Sequence, residues 1–211
     1  MKSSAEKIRL LVVDDHLIFR VGLIESIHTE PNITVIAEAA TGPQSLEAFR
    51  KHQPDVTIMD LRLPLMTGIE ATTAIRKEFP EARIIILSSY EGDEDIYRAL
   101  NAGASGYLLK TVSQEELIGA IRKVHHGESY MPEHVATRLA YRQSRPDLSS
   151  RELQTLEMLV KGKTNKEIGA ALFIAEVTVK VHLRHLFQKL NVNDRTSAVT
   201  AAIQSGIVHL D

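Results

Sequence analysis

The sequence predicts an α/β domain followed by a smaller all-α domain. Residues 1–126 read as a doubly wound domain on a five-stranded parallel sheet, residues 127–147 as a linker with a short helix, and residues 148–211 as a compact four-helix domain. Three observations lead to this division. Five short, almost continuously apolar runs alternate with amphipathic segments of helical length, the pattern of a parallel sheet covered on both faces. From Leu148 onward no strand-like run appears, and short helices with clear start signals follow one another. Between the two parts polar turn residues gather, and Pro146 limits any helix there.

The apolar runs are IRLLVV (8–13), ITVIAEA (33–39), DVTIMD (55–60), RIIILSS (83–89) and GYLLK (106–110). The segments between them have helical period. In SQEELIGAIRKVHH, for example, Leu117, Ile118, Ile121 and Val124 share one face, and Ser113 with Glu116 forms a capping box. The linker holds one modest helical stretch, about His134 to Arg142. In the second domain Ser149 with Glu152 and Thr164 with Glu167 are further capping boxes, and Asp194 is placed to cap a last helix from about Arg195 to Ser205. A tight turn near FIAE separates the second and third of these helices, which is helix-turn-helix spacing.

Composition narrows the function classes. The chain of 211 residues is 44% hydrophobic and 25% charged, typical of a globular protein. Its longest apolar runs fall far short of a membrane span, and LLVV is too short for a secretory signal, so a cytoplasmic protein without a membrane partner is expected. The absence of cysteine rules out disulfides, thiol catalysis and thiolate metal sites. Residues 1–126 carry 14 Lys and Arg against 18 Asp and Glu, and residues 127–211 carry 11 against 9. That asymmetry is too mild to imply a nucleic-acid partner by itself.

Chemistry concentrates where the strands end. Asp14 and Asp15 close the first run and Asp60 closes the third, and in the strand order 2-1-3-4-5 these ends are neighbours. Three converging carboxylates repel one another unless a cation lies among them, and hard oxygen ligands at an open site suit Mg²⁺. Asp after a strand also serves as a turn or cap residue, so the pair alone leaves both roles open. The fourth run ends in Ser88–Ser89 and the fifth in Lys110. One sheet edge thus assembles a carboxylate nucleophile, a place for a divalent ion, a hydroxyl donor and a fixed cation, the groups that phosphoryl transfer needs.

The string VVDDH…DVTIMDLRLP…IIILSS…GASGYLLK resembles the flavodoxin-like receiver domain of two-component response regulators across residues 8–126. The resemblance implies that Asp60 accepts a phosphoryl group from a cognate sensor histidine kinase. It also implies that Asp14, Asp15, Asp60 and the backbone carbonyl of Arg62 hold Mg²⁺ or Mn²⁺. Ser88 would bond a phosphate oxygen, Lys110 would neutralise developing charge, and Tyr107 would be the rotating aromatic of the switch, entering space that Ser88 vacates. The turn LRLPLMTG departs from the common pattern, with Leu65 and Thr67 where Gly and Asp are frequent, although Thr67 can still cap the next helix.

The third helix of the second domain, VTVKVHLRHLFQKL (177–190), is the informative one. At ~100° per residue, Val179, Leu183, Leu186 and Leu190 form a core stripe, while Val177, Lys180, Val181, Arg184 and Gln188 gather on the other side. That outer face has two cations, an amide and apolar residues but no carboxylate, which suits a DNA major groove. Charge alone would fit a solvated helix equally well. The segment LSSRELQTLEMLVKGKTNKEIGAALFIAEVTVKVHLRHLFQKLNVNDRTSAV, however, resembles the LuxR-type DNA-binding domain of NarL/FixJ response regulators. The resemblance makes Lys180, Val181 and Arg184 base and phosphate readers with Thr178 nearby, and Lys166, Gln188 and Lys189 weaker backbone contacts. Ala175 stands where Ser usually caps the recognition helix, at a cost of about 1 kcal/mol. Gly169 replaces the usual Ala, a similar cost unless helices pack closely there. His182 and His185 have metal-ligand spacing, but no third ligand is evident.

The combined expectation is a transcription factor, not an enzyme, in which phosphorylation of Asp60 controls dimerisation or release of the helix-turn-helix domain and so binding to promoter DNA. The receiver would act only in its own phosphoryl transfer and autodephosphorylation. Two other readings compete. An aspartyl-phosphate hydrolase on the same sheet would need an Asp-x-Asp motif after the first strand, where adjacent aspartates stand. A degenerate receiver used only for dimerisation would not need the full set Asp14, Asp15, Asp60, Ser88 and Lys110. The resemblance also places Arg62 and Tyr90 beside the path of the hydrolytic water. If their bulk sets the phosphoryl lifetime, Arg62→Ala and Tyr90→Ala should each change the dephosphorylation rate, and unchanged rates in both would remove the idea.

Overall fold

The computed structural model describes residues 7–209, which form two compact units. The first runs through Tyr90 and resumes from Ile96 to Ala136; the second comprises Glu91–Asp95 with the chain from Thr137 onward.

The first unit is built on the elements β1 (Ile8–Val13), α1 (Leu17–His28), β2 (Ile33–Ala39), α2 (Gly42–His52), β3 (Val56–Asp60), α3 (Gly68–Glu78), β4 (Ile84–Ser88), α4 (Asp93–Asn101) from Ile96 on, β5 (Gly106–Leu109) and α5 (Gln114–His125). The strands form one parallel sheet in the order β2-β1-β3-β4-β5. The Ile- and Val-rich runs give this result because every residue of β3 and β4 is buried, so neither face needs polar alternation. On one face Leu10, Val12, Ile58, Ile85 and Leu108 pack against Leu23 and Ile27 of α1 and Ile121 and Val124 of α5. Each such side chain contributes roughly 1.5–3 kcal/mol when fully buried. Register then sets the chemistry. Val13 pairs with Met59, Asp60 with Leu87 and Ser88 with Leu109, so the polar strand ends meet at one edge.

Local signals largely form as the sequence indicates. Thr67 and Glu70 make a full capping box at α3. At α5 only half of the expected box forms: Ser113 accepts from the Glu116 N–H, but the Glu116 carboxylate takes the Tyr130 hydroxyl at 3.0 Å instead of reaching back. The turn after β3 is tight. A Cβ at Gly68 would lie 1.9 Å from the Asp60 carbonyl oxygen, so only glycine lets α3 start so close to that strand end. Leu65 in the same turn has φ 69 and a largely exposed side chain, left-handed backbone that a branched residue adopts at a cost of roughly 1–2 kcal/mol.

The second unit contains α6 (Glu133–Ser144) from Thr137 on, α7 (Ser150–Val160), α8 (Asn165–Leu172), α9 (Glu176–Leu190) and α10 (Arg195–Gln204). Leu156, Leu159, Ile168, Val179, Leu183, Leu186, Ala198 and Ala202 make its core. Ser149 with Glu152 and Thr164 with Glu167 form complete capping boxes, Asp194 accepts from the Ser197 N–H at 2.9 Å, and Ala175 gives α9 no side-chain cap. Gly169 has a packing reason: a Cβ there would lie 2.8 Å from the Ile174 carbonyl oxygen, so the turn between α8 and α9 closes onto it. The helix α6 extends two residues past the expected Arg142, and Pro146 follows its end. Also within this unit, the Glu94 carboxylate receives Arg142 and, at 3.2 Å, Arg145, and its N–H donates to the Ser205 carbonyl at 2.9 Å.

Relieving the strain at Leu65 should stabilise the first unit. Leu65→Gly is expected to gain up to about 1 kcal/mol, since part of the relief is offset by the greater unfolded-state freedom of glycine. Urea denaturation of the two proteins measures it, and a midpoint that falls would contradict the strain assignment.

Candidate functional site

The edge of the sheet is organised around one lysine. Lys110 follows β5, and its N–H bonds the Ser88 carbonyl at 2.8 Å, which aims its side chain across β4 toward β3 and β1. Its Nζ lies 2.7 Å from Asp14 Oδ2 and 2.9 Å from Asp60 Oδ2. Both aspartates are buried. Below the ammonium lies the Phe19 ring, 4.6 Å from Nζ to centroid. Phe19 comes from the first turn of α1, and a sequence signal for it was available only as an aromatic one turn past the aspartate pair.

Asp14 is held from three sides. Its carboxylate also accepts the His16 N–H at 2.8 Å, and its carbonyl accepts Arg20, whose guanidinium in turn pairs with Glu38 at 3.1 Å. Asp15, by contrast, points to solvent with its Oδ1 2.8 Å from His16 Nδ1. Ligand atoms of Asp14, Asp15, His16 and Asp60 all lie within 4.8 Å of one another. This donor set, three carboxylates with one edge open to water, fits a hard divalent cation.

Burial pushes the Asp60 carboxyl above the ordinary carboxylate range; Lys110 opposes this, the Asp14 charge adds to it, and the Arg62 N–H opposes it. Burial by itself would lower the Lys110 ammonium, but its bonds to Asp14 and Asp60 outweigh that and hold it above the ordinary lysine value. Lys110 is therefore a permanent cation, and Asp60 is a carboxylate kept in an unfavourable medium.

Ser88 and Tyr107 meet through one residue. The Ser88 hydroxyl accepts the Tyr90 N–H at 2.9 Å, and the Tyr107 hydroxyl donates to the Tyr90 carbonyl at 2.7 Å. Both side chains are fully buried. The Arg62 guanidinium carbon stands 5.7 Å from the centroid of the half-exposed Tyr90 ring.

In the second unit α9 presents Val177, Lys180, Val181, Arg184 and Gln188 to solvent, with Thr178 half-buried beside them and Lys166 exposed on α8. Val179, Leu183, Leu186 and Leu190 face the core. Two placements differ from the pattern-based picture. The helix begins at Glu176, whose carboxylate lies 3.1 Å from Lys180 Nζ, so a negative group borders the cationic face. Lys189 is turned onto Glu152 at 2.7 Å and the Asp147 carbonyl at 2.8 Å. Among the described residues no metal-ligand cluster includes His182 and His185, and no helix is long and apolar enough to cross a membrane.

Residues 10–122 match the family described as response regulator receiver domain, and residues 146–202 the bacterial regulatory proteins of the luxR family. The chain belongs to the response regulators of two-component systems, in the DNA-binding group with a LuxR-type helix-turn-helix domain. It is 36% identical over 206 residues to the response regulator protein VraR of Staphylococcus aureus (strain NCTC 8325 / PS 47), covering 95% of this chain and 99% of VraR. The crystal structure of the response regulator ChrA of a heme-sensing two-component system is 37% identical, with a TM-score of 0.58 and coverage of 96% of this chain and 99% of ChrA. RcsB of Salmonella enterica serovar Typhimurium, solved on a promoter with a beryllofluoride phosphomimetic, shares the fold at a TM-score of 0.74 and 22% identity over 94% of this chain and 99% of RcsB. This is not a family of metabolic enzymes.

The raised Asp60 carboxyl has a stability consequence. Between the ordinary carboxylate range and its raised folded value, the folded protein binds more protons than the unfolded one, so stability falls as pH rises through that window. Asp60→Asn removes the buried charge while Lys110 keeps Asp14. Without divalent ions at neutral pH the variant should melt higher, by roughly 2–4 °C for each kcal/mol gained. The difference should vanish as pH drops below the ordinary carboxylate range; a variant that melts lower at neutral pH would reject the assignment.

Proposed function

We propose that the protein is a phosphorylation-gated transcription factor whose receiver, residues 1–126, is charged at Asp60 by a sensor histidine kinase and acts through the linker 127–147 on the DNA-binding domain 148–211. The observation that carries this reading is Asp60, buried beside Asp14 with the Lys110 ammonium between them and Ser88 on the neighbouring strand. A carboxylate oxygen of Asp60 attacks the phosphorus of the kinase phosphohistidine, the P–O bond forms as the P–N bond breaks, and the imidazole leaves. Asp14, Asp15, Asp60 and the Arg62 carbonyl would hold Mg²⁺ or Mn²⁺, which when bound supplies charge neutralisation for the transferring oxygens. Lys110 exchanges its bond to Asp60 for one to a phosphoryl oxygen, and Ser88 turns its hydroxyl to another.

When Ser88 leaves the Tyr90 N–H, the Tyr90 carbonyl keeps its bond from the Tyr107 hydroxyl. The segment after β4 therefore moves with that peptide, a change of position driven by new charge at Asp60. In autodephosphorylation water attacks the same phosphorus past Arg62 and Tyr90, the O–P bond to Asp60 breaks, and inorganic phosphate leaves with the carboxylate restored. In the second unit α9 enters the major groove, with Lys180, Val181 and Arg184 reaching bases and phosphates, Thr178 beside them, and Lys166 and Gln188 on the backbone; Lys189 would reach the backbone only by leaving Glu152 and the Asp147 carbonyl. One such domain makes few phosphate contacts, so a homodimer of the phosphorylated protein on promoter DNA is the effective species. Its place is the cytoplasm, where kinase and promoter are both reached.

The test is binding to a pool of promoter fragments with and without Mg²⁺ plus beryllofluoride, with Asp60→Asn as control. Affinity is expected to rise with the phosphoryl mimic in the wild type and stay flat in Asp60→Asn. Affinity that ignores the mimic would separate the DNA-binding domain from the receiver and overturn the gated reading.

A further inference from the structure

We propose that Phe19 is a positioning residue for phosphoryl transfer: the face of its ring holds the Lys110 ammonium and keeps it ready to pass from Asp60 to an arriving phosphoryl oxygen. This role rests on the reading of Asp60 as the phosphoryl acceptor, and Phe19 acts in it only through Lys110.

The geometry singles out this side chain. The Lys110 ammonium lies 4.6 Å from the Phe19 ring centroid, inside the ~6 Å over which a cation is drawn to an aromatic face. Its strongest partners are two carboxylates, Asp14 Oδ2 at 2.7 Å and Asp60 Oδ2 at 2.9 Å, and the lysine side chain is only 12% exposed. Phe19 packs against the core of the first unit, whereas Leu17 and Ile18 before it turn to solvent. Arg20, next in the chain, bonds the Asp14 carbonyl and pairs with Glu38 at 3.1 Å. The first turn of α1 is thereby pinned to the strand end that also holds the lysine, which fixes the place of the ring.

An aromatic face supplies something that a hydrogen-bond acceptor in its place would not. It attracts the ammonium as a whole, so the N–H groups stay available to oxygens and can be redirected from one to another. Phe19 and Lys110 also line one partly open cavity of about 330 Å³, together with Gly22, Leu23, Val112 and Leu117. A Cβ built at Gly22 would meet nothing within 4 Å, so open space lies along this side of α1. A shorter side chain without a ring at position 19 extends that space toward the ammonium and lets water reach it.

The consequence falls on the exchange step. In the resting site two full charges hold the ammonium, and the ring is a small addition to them. As the Asp60 oxygen bonds to phosphorus, that hold weakens, and the ammonium has a choice between a phosphoryl oxygen and water. The ring removes the second choice and keeps the cation where charge develops, so its contribution is larger in the transition state than in the ground state. Ion binding by the carboxylates does not pass through this contact.

The experiment uses the full chain in saturating Mg²⁺ with phosphoramidate as donor, whose P–N bond breaks as the P–O bond to Asp60 forms and ammonia leaves. Wild type is compared with Phe19→Leu, with Phe19→Met, and with protein carrying one, two or three fluorines on the Phe19 ring, which drain its negative face with little change of size. The maximal phosphorylation rate should fall about fivefold in Phe19→Leu and Phe19→Met, and stepwise with each added fluorine. The donor concentration at half-maximal rate and the Mg²⁺ affinity should stay within about twofold. The fluorinated proteins keep the test intact where a substitution costs folding. A rate indifferent to fluorination overturns the inference even if Phe19→Leu is slow, because lost packing then accounts for the loss. A wild-type rate in Phe19→Leu overturns it as well, and in both cases phosphorylation that Asp60→Asn abolishes leaves the receiver reading in place. If Asp60→Asn is phosphorylated like the wild type, or the wild type takes up no phosphoryl group, that reading and the inference fall together.

Discussion

The ammonium of Lys110, 2.7 and 2.9 Å from two buried carboxylates, is the interaction on which the sheet edge depends. Without it Asp14 and Asp60 would be like charges in a medium that solvates neither, and the strand ends could not be apposed. Strand register fixes where that cation must come from. β5 lies two strands from Asp60, so only a long side chain starting just beyond its last residue spans the gap, with Phe19 closing the space beneath. The arrangement is satisfied but not relaxed, because Asp60 remains a carboxylate that burial disfavours. A group that adds negative oxygens there finds its counter-charge already in position.

The second unit solves a different problem with less material. A small domain buries little surface, so its helices rely on well-formed ends and one shared core. Complete capping boxes at α7 and α8 satisfy the first turns, and a contiguous apolar stripe ties α9 to its neighbours. The absent Cβ at Gly169 lets the α8–α9 turn close, and Ala175 leaves the start of α9 without a side-chain cap. The outer face of α9 is consequently free of structural duty, apart from the pair that Glu176 makes with Lys180.

How much of this could be seen beforehand follows the range of the forces involved. The strands and the four C-terminal helices were legible because β-branched runs, helical period and cap residues are local signals, while the strand order followed from the common doubly wound arrangement. The convergence of Asp14, Asp15, Asp60, Ser88 and Lys110 was legible because parallel topology sends all strand ends to one edge. Features set by tertiary neighbours were not. Phe19 under Lys110, the diversion of Glu116 to Tyr130, the burial of Tyr107 and the capture of Lys189 by Glu152 each depend on a residue distant in the chain. The division into units also departs from a simple cut, since residues 91–95 group with the C-terminal helices.

The bracketing of the Tyr90 peptide between Ser88 and Tyr107 has a practical side. The chain contains no tryptophan and only five tyrosines, so its intrinsic ultraviolet emission is entirely phenolic. Two of those five fluorophores sit at the joint between the phosphoryl pocket and the rest of the receiver, one fully buried and one half in water under a guanidinium. The protein thus carries its own optical reporter, and its conformational state can be followed in the unlabelled, unmutated chain.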